Sequence, residues 1–110
     1  MSRSALQIGD AAPVFAALGD PTRLAVVRRL CTIGPQSIAQ LSDGADVSRQ
    51  AITKHLIALA DAGLVRDIKR GRERIFELEP RRLAVARTWI DQISLEWDRA
   101  IDRLRKLVED

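Results

Sequence analysis

A single change of hydrophobic period in the middle of this chain most limits how it can fold. Apolar residues first follow the 3.6-residue period of helices, and then alternate over 65–68 and again over 75–78. The two alternating segments flank a basic stretch, 69–74, that contains Gly71, which is typical of a β-hairpin. Helical spacing returns after Pro80. The pattern predicts a mainly α chain with one small hairpin, in the order α-α-α-α-β-β-α.

Capping residues mark the four helices that we expect before the hairpin. A first helix is predicted over 11–18, and a second from Pro21 to the stop at Gly34. Ser37 and Gln40 have the spacing of a capping box, which predicts a short third helix. Ser48 is placed to cap a fourth helix over 49–62.

The expected buried faces follow from the same spacing. We expect the second helix to bury one side of apolar residues and the fourth to bury another, leaving its polar residues outside. The two sets are Leu24, Val27, Leu30 and Cys31 in the second helix, and Ile52, Leu56 and Leu59 in the fourth. Trp89 is predicted to face the core of its own protomer or to line a small pocket.

A long terminal helix over 81–108 carries one apolar residue at every third or fourth position. A chain of 110 residues forms one modest domain, which has little core left to cover such a stripe. Self-pairing in a symmetric homodimer is the simplest way to bury it. The interface residues predicted on this basis are Leu83, Ala86, Ile90, Ile93, Trp97, Ala100 and Leu104.

Composition excludes several classes of protein. One cysteine cannot form an intrachain disulfide, and with one histidine it leaves too few ligands for a structural zinc site. No glycine-rich phosphate loop and no nucleophile–base–acid set is present, so we expect neither enzymatic activity nor a cofactor. The start of the chain has no signal-peptide pattern, and no apolar run reaches membrane-spanning length. We therefore expect a cytoplasmic protein without a membrane partner.

Positive charge is concentrated in the middle of the chain. The formal net charge is only +3, yet residues 49–82 carry nine bases against five acids. Two short helices with a turn between them, followed by a basic hairpin, are typical of a winged helix-turn-helix. We expect one such domain over 1–110, with a DNA-binding core at 11–80 and the dimerisation helix at 81–108.

The start of the fourth helix offers side chains suited to base edges. Arginine can bond guanine at two atoms, and glutamine can do the same with adenine. The hairpin cations would reach a flanking backbone or minor groove. The predicted contacts to double-stranded DNA are Ser37, Ser48, Arg49, Gln50, Thr53, Lys54, Lys69, Arg70 and Arg72.

Three segments resemble the ArsR-type winged-helix repressors: residues 15–24 (FAALGDPTRL), residues 47–56 (VSRQAITKHL) with 62–65, and the wing at 71–73. The resemblance runs from about Val14 to Pro80, and the tail is similar to that family's long dimerising helix. It implies a bacterial homodimer that represses transcription by occupying an inverted-repeat operator. Ser37 and Ala39 stand where metal-sensing members have cysteines, which favours the metal-independent branch. The resemblance therefore identifies no inducer for this chain.

Some residues admit two interpretations. Cys31 is expected to be a buried thiol rather than a redox switch, and His55 to make a structural hydrogen bond rather than a phosphate or metal contact. Arg23 is assigned either a salt bridge at its helix start or a DNA contact. Trp97 is expected to pack in the dimer interface rather than to form part of a ligand cage.

The main alternative function is a winged-helix protein-interaction module that does not bind specific DNA sequences. Such modules usually lose their basic wing residues, whereas this hairpin keeps five. A small-molecule or protein effector stays open, since the sequence identifies none.

Overall fold

A computed structural model describes residues 8–109. Its elements appear in the predicted order, with one strand added before the third helix. The helices are α1 (Ile8–Leu18), α2 (Pro21–Ile33), α3 (Ile38–Ser42), α4 (Arg49–Asp61) and α5 (Pro80–Glu109), and the strands are β1 (Gln36–Ser37), β2 (Val65–Arg70) and β3 (Glu73–Leu78).

The predicted capping residues begin the helices as expected. The side chain of Asp20 accepts from the backbone N–H of Arg23 at 3.0 Å at the start of α2. Ser37 accepts from Gln40 N–H at 3.1 Å while the Gln40 side chain accepts from Ser37 N–H at 2.9 Å, completing the capping box of α3. Ser48 accepts from Ala51 N–H at 3.2 Å and caps α4. Each bond satisfies a donor that the first helical turn leaves without a partner.

The hairpin is tighter than the sequence indicated. Strands β2 and β3 pair antiparallel from Val65 opposite Leu78 to Arg70 opposite Glu73, so that two residues form the turn. Gly71 lies there with φ 64°, a left-handed conformation that suits glycine.

The sheet contains a third strand that the sequence analysis missed. In β1, Gln36 pairs with Phe76 and Ser37 with Ile75, giving the strand order β1-β3-β2. A two-residue strand has no period to detect, so its existence depends entirely on the neighbouring strand.

The core forms where α4 meets the sheet and α2. The predicted stripe of α4 is confirmed, because Ile52, Leu56 and Leu59 are at most 1% exposed. They pack in one cluster with Phe76 of β3 and Leu41 of α3, among other buried residues.

The predicted buried face of α2 was partly wrong. Leu30 is buried and Val27 is partly buried, but Leu24 is 51% exposed and Cys31 is exposed. Val26 is buried in their place. Because α2 is apolar on several sides, helical spacing alone allowed more than one buried face, and packing against β3 and α4 selected this one.

The long helix α5 is divided between two environments. Ala86 is 5% exposed and Leu83 is partly buried, and both pack in the core of their own protomer. The first turns of α5 therefore complete the core beside α1, and buried Ala86 serves that core rather than the predicted dimer interface, whereas Leu83 does so only in part. Further along, Ile90 and Trp97 are 49% and 66% exposed.

None of the helices within residues 8–109 is both long enough and apolar enough to cross a membrane.

Candidate nucleic-acid interface

The first turns of α4 present polar side chains to solvent. Arg49, Gln50 and Lys54 are exposed, and Ser48 is exposed at the cap. Thr53 is half-buried. Its hydroxyl donates to the Arg49 carbonyl at 2.8 Å, so the hydroxyl proton is already used within the helix. Ile52, Leu56 and Leu59 hold one side of α4 in the core, and Gln50 and Lys54 lie on the opposite side. Arg49 is on the same side as Ile52 and is exposed in the first turn of the helix.

Ser37 lies apart from that exposed set. It is 6% exposed, its hydroxyl accepts the Gln40 N–H, and its backbone pairs with β3. The capping role that the sequence predicted for Ser37 leaves its side chain buried. We therefore exclude Ser37 from the candidate DNA-contacting residues.

Two of the five hairpin cations are neutralised by neighbouring carboxylates. Arg66 donates to Glu77 across the strand pair at 2.6 Å and lies 3.5 Å from Glu79. Arg74 pairs with Asp67 at 2.7 Å, and its guanidinium also lies 5.4 Å from the ring centroid of Phe76. These pairs join the two strands of the hairpin and leave neither arginine with a free charge, although Arg74 lies directly opposite Lys69.

The other three cations lie at the tip. Lys69, Arg70 and Arg72 are exposed, and in the part of the chain that the structure describes no carboxylate lies within 4.0 Å of their charged nitrogens. The tip therefore concentrates the free positive charge of the hairpin at its outermost point. An unpaired exposed cation can exchange its hydration and counterions for a phosphate without breaking an internal contact.

Arg23 connects three helices. Its Nε donates to Nδ1 of His55 at 3.2 Å, and its Nη1 donates to the carbonyl of Ala17 at 3.3 Å. Asp20 lies 3.8 Å from the same histidine nitrogen, and the Arg23 N–H that it accepts holds the pKa of Asp20 below its ordinary 3.8. The predicted structural hydrogen bond of His55 is confirmed. Over residues 8–109, His, Cys, Asp and Glu side chains form no group of three that could hold a metal ion.

Arg29 holds α3, and the sequence analysis did not identify it. Its Nη1 and Nη2 donate to the carbonyls of Leu41 at 3.0 Å and Gln40 at 2.9 Å. These carbonyls belong to the last turn of α3, where the helix supplies no N–H donors for its own carbonyls. No periodicity or motif signals this contact, because it joins residues from two different helices.

The prediction that Trp89 lines a small pocket is confirmed, because Trp89 packs against α1. Its ring meets Phe15 edge-on at 5.7 Å between centroids. The two rings border a cavity of about 300 Å³, which is also lined by Ile8, Ala11 and Ala12.

The capped polar helix, the preceding short helix and the cationic hairpin define this chain as a winged helix-turn-helix protein. A helix-turn-helix domain family matches residues 18–68. The chain is 39% identical over 93 residues to the HTH-type transcriptional regulator Rv2034 of Mycobacterium tuberculosis, covering 84% of this chain and 83% of that protein. It is 34% identical over 79 residues to the arsenical resistance operon repressor of Escherichia coli, covering 72% and 68%.

A solved structure gives the same result. The ArsR-like transcriptional regulator from Rhodococcus sp. RHA1 is 37% identical, with a TM-score of 0.77 over 90% of this chain and 92% of that one. The chain belongs to the ArsR family of winged helix-turn-helix transcriptional regulators, which are DNA-binding proteins and not enzymes.

Proposed function

We propose that this regulator is a cytoplasmic homodimer that represses transcription by reading an inverted-repeat operator through α4 and the wing over 69–74. The observation that carries the proposal is the distribution of free charge. Lys69, Arg70 and Arg72, in and beside the turn, are unpaired, while Arg66 and Arg74 are neutralised by carboxylates on the opposite strand. This pattern suits a wing that meets phosphates with its tip. Repression itself is proposed by analogy with the arsenical resistance operon repressor, which is named for it.

The reading chemistry lies at the start of α4. A helix of this size enters the major groove, and its first turns come closest to base edges. Arg49 can bond guanine O6 and N7, and Gln50 can bond adenine N6 and N7. Lys54, one turn further along, reaches a phosphate or a base. Ser48 keeps a hydroxyl proton that can be donated to the backbone of the DNA.

The exposed face of α5 supports the dimer. Ile90, Ile93, Trp97 and Leu104 are between 42% and 66% exposed, which is unfavourable in water for side chains of this size. The stripe also includes Ile101 and Val108, which follow the same helical spacing and were missing from the predicted set. Pairing α5 with a second copy would place two α4 helices about 34 Å apart, one turn of DNA.

The decisive experiment is a salt titration of DNA binding by the wild type and two matched variants. We expect operator DNA from the protein's own promoter region to be preferred over random duplex. Each neutralised phosphate should contribute about −0.9 to the slope of log affinity against log salt concentration. Arg72→Ala should weaken binding about tenfold and reduce the slope by about one per bound protomer.

Arg66→Ala is the matched control, since it removes the same charge from the same hairpin at a paired position. We expect it to change affinity by less than about threefold, because Arg66 already has two carboxylate partners. Equal losses for both variants would mean that only overall charge matters and would contradict a tip contact.

A further pair of substitutions separates this function from a protein-interaction module. Arg72→Ala combined with Lys54→Ala should abolish operator binding and leave the dimer intact in analytical ultracentrifugation. No operator preference in the wild type, together with unaltered partner capture by this double variant, would favour the interaction module.

A further inference from the structure

We propose that α2 orients both helices of the helix-turn-helix through two arginines, so that Arg23 and Arg29 are positioning residues for DNA reading. This inference rests on the proposed function, because it concerns how α4 is presented to the operator. Neither arginine needs to touch DNA in this role. The juxtaposition that carries it is one helix with two guanidinium groups, each bonded to a different helix of the reading unit.

Each of the two arginines donates two hydrogen bonds. Arg23 donates from Nε to His55 in α4 and from Nη1 to the Ala17 carbonyl in the last turn of α1. Arg29 donates from two nitrogens to adjacent carbonyls, those of Gln40 and Leu41, in the last turn of α3. Each guanidinium therefore spans two acceptors with its planar fork, and a lysine ammonium cannot reproduce that geometry.

Apolar packing alone leaves the orientation of these helices less defined. The core stripe of α4 holds the helix against the sheet, but hydrophobic contact is not directional. A hydrogen bond is directional, and one made by a charged donor is stronger than a neutral one. The bond from Arg23 meets α4 at His55, one residue beyond Lys54 and two beyond Thr53. It therefore acts on the second turn of α4, beside Lys54 and one turn after Arg49 and Gln50.

The histidine is a suitable acceptor for this contact. Nδ1 of His55 can accept only when the ring is neutral and its proton is on Nε2. The side chain of His55 is 21% exposed, so solvent competes with the bond only in part. Asp20 accepts the backbone N–H of Arg23, and its 3.8 Å approach to the same ring nitrogen is not itself a bond while that nitrogen is an acceptor. The start of α2 is thereby joined to α4 at one place.

Arg29 stabilises α3, the first helix of the helix-turn-helix, which is too short to be stable by itself. Helix α3 has only five residues, fewer than an isolated helix needs. Its start is closed by the capping box, and its end by the backbone N–H of Asp43 together with Arg29. Arg29 thus fixes the end of α3 that leads into the turn before α4.

The test measures preference for operator over random duplex with Arg23→Lys and Arg29→Lys. Each substitution keeps the positive charge and removes the fork. We expect each to lower the preference about tenfold, the effect of losing one charge-assisted hydrogen bond, with an unchanged salt slope and an unchanged dimer. Arg28→Lys is the matched control, because Arg28 is exposed on the same helix, and it should behave as the wild type.

A second variant separates positioning from general stability. His55→Ala removes the acceptor, so combining it with Arg23→Lys should lower the preference no further than either change alone. Thermal unfolding of every variant is followed in parallel.

Three results would overturn the inference. A smaller salt slope for either lysine variant would indicate a direct phosphate contact instead. A lower melting temperature with unchanged preference would indicate a purely structural role, and unchanged values of both would indicate no role. A wild type without operator preference would instead contradict the proposed function, so the two failures are distinguishable.

Discussion

Helices α4 and α5 expose opposite kinds of surface. In α4 the core stripe, Ile52 with Leu56 and Leu59, is at most 1% exposed, and the first turns show polar and cationic groups to water. In α5 the first turns complete the core, and apolar residues then continue outward, with Trp97 66% and Leu104 62% exposed.

The difference indicates what kind of partner each helix needs. A polar surface is well solvated, so α4 can remain free in water until DNA replaces the solvent. An apolar stripe is not well solvated, and burying it is favourable at about 25 cal/mol per Å². We therefore expect α4 to bind its partner reversibly and α5 to be paired whenever the protein is folded.

The largest expected effect comes from placing a charge on the stripe of α5. Leu104→Asp should raise the dissociation constant of the proposed dimer roughly a thousandfold, about 4 kcal/mol, because a symmetric interface would lose two leucines and gain two carboxylates. Sedimentation velocity over a range of protein concentrations measures the change.

Leu95→Asp provides the matched control. Leu95 is also exposed, at 45%, but it lies nine residues from Leu104 and therefore on the opposite side of α5. We expect it to change dimerisation by less than about threefold. If both variants dissociated equally, the stripe would not be the dimer surface.

A core substitution in α4 should have the next largest effect. Leu56→Ala should reduce the free energy of unfolding by about 3 kcal/mol, because Leu56 is fully buried and its removal leaves a cavity. Ile57→Ala, at a neighbouring position that is 49% exposed, should cost clearly less. Urea denaturation at a fixed protein concentration compares the two variants. Similar losses would contradict the burial pattern of α4.

The smallest effects concern how the two helices begin. Ser48→Ala should reduce the free energy of unfolding by about 1 kcal/mol at every pH, since the cap of α4 is a neutral hydroxyl.

Before α5, the Arg81 N–H and guanidinium lower the pKa of Glu79 from its ordinary 4.5. A carboxyl with a lowered folded pKa stabilises the fold above its unfolded pKa and loses that contribution as pH falls through the folded value.

Glu79→Gln tests that pH dependence. The variant should be less stable than the wild type at neutral pH, and the difference should shrink as the pH falls below about 4.5. Denaturant melts at several pH values measure both variants. If the loss of stability of Glu79→Gln did not change with pH, or if that of Ser48→Ala did, the roles assigned to these two side chains would be contradicted.

Much of the fold could be predicted because its signals are local. Three helix starts could be predicted from their capping residues, Asp20, Ser37 and Ser48, and the turn of the hairpin from Gly71. A cap involves residues only three positions apart, so the sequence contains the whole interaction.

The errors have a common origin in contacts between distant segments. Cys31 and Leu24 were assigned to the buried face of α2 because helical spacing could not distinguish several apolar sides. Strand β1 was missed because two residues become a strand only when β3 lies beside them. Ser37 was counted among the DNA contacts although its own capping role buries it.

By itself the sequence determined the five helices and the two hairpin strands, and it placed the cationic turn between those strands, because periodicity and capping act within a few residues. Only the tertiary structure decided which hairpin cations stay free, since Arg66 and Arg74 find their carboxylates on the partner strand. It also decided that Arg23 and Arg29 of α2 bond to α4 and α3, and how much of α5 the core uses. Those outcomes depend on distances across the fold, which spacing along the chain does not contain.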